Sequence, residues 1–137
     1  MTNQLTPAPA DNRTDTRRWR PIIADLGFWS TAGVVVAAFS GQLGQRWGAP
    51  SEALLIGGLA FVAAGSALAF WLHRSRPTSR AVVWTFGVLN VALGPIAWAA
   101  ALWHWLPVSG AGSWALATAG DVMLALGAWQ LWSLRRT

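Results

Sequence analysis

Apolar positions run almost unbroken through four stretches, at about 22–43, 53–72, 81–106 and 113–134, and polar positions collect between them. None of the four shows the every-second-residue alternation of a strand exposed on one face. A helix needs about 20 apolar residues to cross the hydrocarbon core of a bilayer, and each stretch is long enough. Local signals agree. Pro21 stands at a plausible first helical position of the first stretch. Ser51 can cap the second and Glu52 suits its first turn. The connections are short, so consecutive helices are expected to lie side by side and antiparallel. The pattern predicts an all-α membrane protein, a four-transmembrane-helix antiparallel bundle over 21–137. Residues 1–20, "MTNQLTPAPADNRTDTRRWR", lack an apolar run and read as a disordered basic tail. Twenty residues without an apolar run ahead of the first apolar stretch do not read as a signal peptide.

Composition sharpens the solvent. Of 137 residues, 54% are hydrophobic and 11% charged, where a soluble domain carries about 25% charged. The chain has no cysteine, which excludes disulfides and thiolate metal sites. Every basic residue is an arginine, and their placement orients the chain. Arg13, Arg17, Arg18 and Arg20 precede the first stretch, Arg74, Arg76 and Arg80 separate the second from the third, and Arg135 and Arg136 follow the fourth. Arg46 alone falls on the other side. Short arginine-rich loops stay in the cytoplasm, so both termini are expected there, in the inner membrane of a bacterium whose arginine and tryptophan bias reads as GC-rich coding. Nine of the 11 tryptophans fall near one interface or the other, as headgroup belts do. Trp29 and Trp98 lie deeper, either lining a cavity or packing between helices.

Candidate chemistry is confined to a few polar residues inside the apolar stretches: Asp25, Asn90 and Asp121, with Thr31 and Thr118 at similar depth. Asp121 falls near the midplane. A charged, unpaired aspartate there costs about 2.5–3.5 kcal/mol, and no basic residue reaches that depth. Asp121 shares a helix face with Ala117, Thr118, Ala125 and Ala128, small residues that let helices approach. Its carboxyl is therefore expected to point inward and meet Asn90, beside a kink at Gly94-Pro95. Thr31, Asn90, Thr118 and Asp121 together predict a midplane polar layer, used to pack helices or to engage a partner, which makes the chain structural or accessory. The alternative is a proton-coupled small-molecule transporter or channel subunit with Asp121 as the titrating acid. Expected partners are the bilayer and either a homo-oligomer or another membrane protein, with no nucleic acid. No cofactor, metal or catalytic set is expected. His73 and His104 stand nearly a bilayer apart, and the runs "GQLGQRWG" and "SGAGS" lack a P-loop ending and read as turns.

Several short motifs also recur together. They are Asp25 early in the first stretch, the passage from Gly48-Ala49-Pro50 through Leu54 to Gly57-Gly58, and the basic loop closing at Arg80. Asn90 and the final "AWQLWSLRR" complete the set. Over about residues 22 to 136 the chain resembles an uncharacterised family of small four-span bacterial integral membrane proteins. The resemblance implies topology and no chemistry.

Overall fold

The computed structural model describes residues 12–75 and 79–135, with side chains from Trp19 onward. Five helices account for almost all of them, and no strand occurs among the described residues: α1 (Asn12–Ala38), α2 (Ser40–Trp47), α3 (Ser51–Arg74), α4 (Arg80–Leu102) and α5 (Gly110–Arg135). Three are long and apolar enough to cross a membrane, namely Trp19–Ala38 within α1, all of α3 and all of α4. At 26 residues α5 is as long but more polar.

The helix boundaries depart from the sequence expectation in places with identifiable causes. Helix α1 begins at Asn12, so 12–20 is helical rather than tail and Pro21 lies inside the helix instead of starting it. Residues 1–11 lie outside the described residues. The first stretch does not run straight to 43. Phe39 leaves helical geometry (φ −108°, ψ 20°), and α2 starts at the next residue. Hydrogen bonds from Phe39 N–H to Val35 O (3.0 Å) and from Leu43 N–H to Phe39 O (2.9 Å) carry the chain through this bend. Helix α4 stops at Leu102, four residues early, and His104 adopts a left-handed φ of 50°. Ser51 is the first residue of α3 and makes no capping bond, whereas Glu52 does occupy the first turn. Ser79 caps α4, accepting from Val82 N–H at 3.3 Å. Helix α4 continues through Pro95, which has no N–H to give the Val91 carbonyl.

Glycines set how the helices pair. In α3, α4 and α5 they recur seven apart, as Gly58/Gly65, Gly87/Gly94 and Gly120/Gly127, and all six are buried. A seven-residue repeat keeps one face of a helix toward its partner. Helix α5 runs antiparallel to α4, with Gly94 against Gly120 and Gly87 against Gly127. A Cβ on Gly94 would come within 2.9 Å of Gly120 O, and one on Gly127 within 2.8 Å of Gly87 O. Helix α3 runs antiparallel to α1 in the same way, and a Cβ on Gly58 would meet Gly33 O at 2.6 Å. Backbones this close gain dispersion and exclude bulky residues.

Two helix pairs result, α1/α3 and α4/α5, joined along α1 and α5. The expectation that all consecutive helices are neighbours therefore fails at one junction. Helices α3 and α4 do not run side by side. They meet only at one end, where Leu72 and Val83 join Ile22, Leu26 and Leu134 in a small core. At the opposite end Ser109 ties the pairs together. Its N–H donates to Trp47 O (2.6 Å) and its hydroxyl to Arg46 O (2.7 Å). Gly48, left-handed at φ 69°, lets the backbone turn beneath that contact, and a Cβ there would sit 3.1 Å from Ser109 N. Buried hydrophobic side chains are few, while large ones such as Ile56, Leu59, Phe70 and Trp114 stay more than half exposed. Apolar surface on that scale is far beyond the isolated patches of a soluble monomer.

A buried carboxyl–amide clasp as candidate functional site

Three helices deliver one polar side chain each to a common point. Helix α1 brings Asp25 between the buried Ile22 and Leu26, α4 brings Asn90, and α5 brings Gln130, whose side chain has no exposed surface. The glycine repeat positions two of them. Asn90 stands three residues after Gly87 and Gln130 three after Gly127, so each shares its helix's buried face. The missing Cβ of Gly127 leaves room for Asn90, whose Cβ would lie 3.0 Å from it.

The carboxyl of Asp25 is the hub. Its Oδ2 accepts from Asn90 Nδ2 at 2.6 Å and from Gln130 Nε2 at 2.7 Å. Asn90 Nδ2 also donates to Gln130 Oε1 at 3.3 Å. Ser133, one turn further on α5, donates its hydroxyl to Gln130 O at 2.6 Å. One carboxylate oxygen thus binds two amides from two other helices. The other, Oδ1, is buried and has no hydrogen-bond partner.

The remaining residues of the expected midplane layer do not assemble. Asp121 is exposed rather than turned into the bundle, and its Oδ1 accepts from Trp98 Nε1 at 2.9 Å. Thr118, Ala125 and Ala128, three of its four small face-mates, are exposed as well, and only Ala117 is buried. The reason is the position of the packing glycines. Gly120 and Gly127 already turn the adjacent face toward α4, which leaves the Asp121 face outside. Thr31 and Thr118 are exposed and use their hydroxyls on their own helices, donating to Gly27 O (2.8 Å) and Trp114 O (2.9 Å). Asn90 is buried, but its acid is Asp25.

Gln130 and Ser133 are the members that sequence reasoning missed. The signal was present as a shared offset, Gly87-x-x-Asn90 in α4 and Gly127-x-x-Gln130 in α5. The deep tryptophans both line cavities. Trp29 faces the space between α1 and α5, stacked on Phe61, and Trp98 lines a smaller space with His104. His73 and His104 are exposed, and no group of metal-binding side chains occurs among the described residues. Chemically the clasp is a hydrogen-bonding unit of one carboxyl, two amides and one hydroxyl. No protein-family model matches the chain, and neither a curated protein nor a solved structure matches it.

Proposed function

We propose that the chain is an integral membrane protein with a structural or accessory role, built from four spans with both termini in the cytoplasm. Helix α5 is the fourth span. It lies antiparallel along α4 through Gly94–Gly120 and Gly87–Gly127, so wherever α4 crosses the bilayer, α5 shares its depth. Arginines at the end where α1 starts, α3 ends and α5 ends face the cytoplasm, following the positive-inside bias. The observation that carries the role is the division of labour between the two intramembrane acids. Asp25 is spent on fastening α1 to α4 and α5. Asp121, with Thr118, Ala125 and Ala128, presents a polar group amid small residues on the outer face of α5, and such faces associate with other transmembrane helices.

The partner helix is in the simplest case α5 of a second copy. Because the chain lacks cysteine, Ala125→Cys supplies a unique probe. Oxidation in native membranes is expected to trap a disulfide dimer, and Ala128→Leu in the same background to abolish it. Monomer alone under all oxidising conditions refutes self-association through this face.

A second reading has its own observation. The unpartnered Oδ1 of Asp25 is where a proton would be loaded in a proton-coupled transporter or channel subunit, with Asp25 as the acid rather than Asp121. That reading requires Asp25→Asn to fold and lose proton flux in vesicles. Flux equal to the parent removes it.

A further inference from the structure

A groove of about 520 Å³ lies between α1 and α5, separate from the clasp and bordering the exposed face of Asp121, with which it shares Thr118. Its volume falls within the roughly 300–1,000 Å³ of ligand pockets. Its walls are hydrocarbon and aromatic: Phe28, Trp29 and Val36 from α1, Leu54 from α3, and Leu116 and Val122 from α5. Thr118 contributes the one side-chain hydroxyl, which is already donated to Trp114 O. A polar solute would therefore find nothing beyond two indole N–H groups to replace its water. A hydrocarbon chain needs nothing more.

The length of the groove identifies which hydrocarbon. On α5 it extends from Gly112 to Val122, ten residues or about 15 Å at about 1.5 Å rise each. That is half of an approximately 30 Å hydrocarbon core, one leaflet. The end near Gly112 is roofed by Trp47, Ala49 and Val108, held together by the Ser109 bonds to Arg46 O and Trp47 O. Arg46 is exposed in the last turn of α2, next to Trp47. Among the described residues it is the one arginine at this end of the molecule, above a groove with no charged side chain in its lining.

We infer that the α1–α5 groove binds one acyl chain of an outer-leaflet phospholipid with an anionic headgroup, whose phosphate pairs with Arg46. The site rests on the four-span reading, which places the Arg46 end at the outer headgroup level. A tightly held lipid there would fill the gap between two helix pairs that touch directly along only part of α1 and α5, coupling their relative position to lipid composition.

The test uses the full chain in phosphatidylcholine vesicles doped with spin-labelled phosphatidylglycerol or spin-labelled phosphatidylcholine. Ala119→Cys places the only thiol in the groove. Blocking it after reconstitution with benzyl methanethiosulfonate fills the groove without challenging folding. A motionally restricted phosphatidylglycerol component is expected that disappears on blocking, and that persists when Ala128→Cys on the outer face is blocked instead. Arg46→Gln leaves the restricted chain in place but reduces the preference for phosphatidylglycerol over phosphatidylcholine by about fivefold, the worth of one basic residue at an anionic surface. A restricted component indifferent to blocking at 119 overturns the groove site, and an unchanged preference in Arg46→Gln overturns the headgroup assignment. A chain that fails to partition into vesicles at all would instead refute the membrane-span reading beneath it.

Discussion

Replacing Asp25 by alanine should cost far more than replacing it by asparagine, and the clasp geometry says by how much. In Asp25→Ala the acceptor of both amide bonds is lost. Asn90 keeps its longer contact to Gln130 Oε1 at 3.3 Å, but Nε2 of the fully buried Gln130 loses its bond to Oδ2. A buried donor left unsatisfied costs about 1–3 kcal/mol, so one full and one partial loss give about 2–4 kcal/mol. Interhelical bonds in membranes average only about 0.6 kcal/mol because the dissociated helices find other partners. The clasp should exceed that average because it has no water to fall back on. In Asp25→Asn one amide oxygen can still receive both donors. The new NH₂ then occupies the place of Oδ1, which lacks a partner in the parent too, and the cost should stay within about 1 kcal/mol. The assay is reversible unfolding by SDS in mixed micelles, followed by tryptophan fluorescence, in a double-mutant cycle with Gln130→Ala. The expected coupling is about 0.5–2 kcal/mol. Additive Asp25→Ala and Gln130→Ala effects, each below about 0.5 kcal/mol, would show that the bonds contribute nothing and refute the clasp as a fastener.

Further expectations follow from the same geometry. Gly94→Val and Gly120→Val should each destabilise by about 1–3 kcal/mol through overpacking, because even a Cβ meets backbone oxygen within 2.9 Å. Gly57→Ala, where a Cβ meets nothing within 4 Å, should be neutral or better in the same unfolding measurement. Ser109→Ala removes the hydroxyl that donates to Arg46 O and accepts from Gly112 N–H. A loss of about 1 kcal/mol is expected, together with faster proteolysis between α4 and α5. Topology is read by single cysteines at exposed positions: an impermeant maleimide applied to whole cells should label Gly110→Cys and spare Ser75→Cys, and the reverse pattern would invert the orientation.

What the sequence made legible, and what it hid, follows from how polar groups are satisfied in an apolar solvent. Four apolar stretches announced α1, α3, α4 and α5 because segment hydropathy depends on composition, which requires no knowledge of neighbours. The break at Phe39 and the early end at Leu102 were hidden because both lie in apolar sequence, and tertiary contact rather than propensity decides where such a helix bends. The helix face of Asp121 was misjudged for a related reason. Small residues mark a close contact without saying with what, and α5 carries two such faces, Gly120/Gly127 and Thr118/Ala125/Ala128. The first contains glycine at seven-residue spacing and meets backbone at 2.8–2.9 Å. The second ends in alanine and threonine and stays open. Glycine periodicity was thus the better guide to the interior, and it also points to Asn90 and Gln130. Helix α5 falls short of the other three in apolarity because of Asp121, Gln130, Ser133 and Thr118, yet each of these has a partner: Trp98, the clasp, Gln130 O and Trp114 O. Hydrogen-bonding a buried polar group removes most of its transfer cost. A composition rule, which charges each side chain as though it entered lipid alone, therefore overstates the cost of placing a helix such as α5 beside α4 in an apolar solvent.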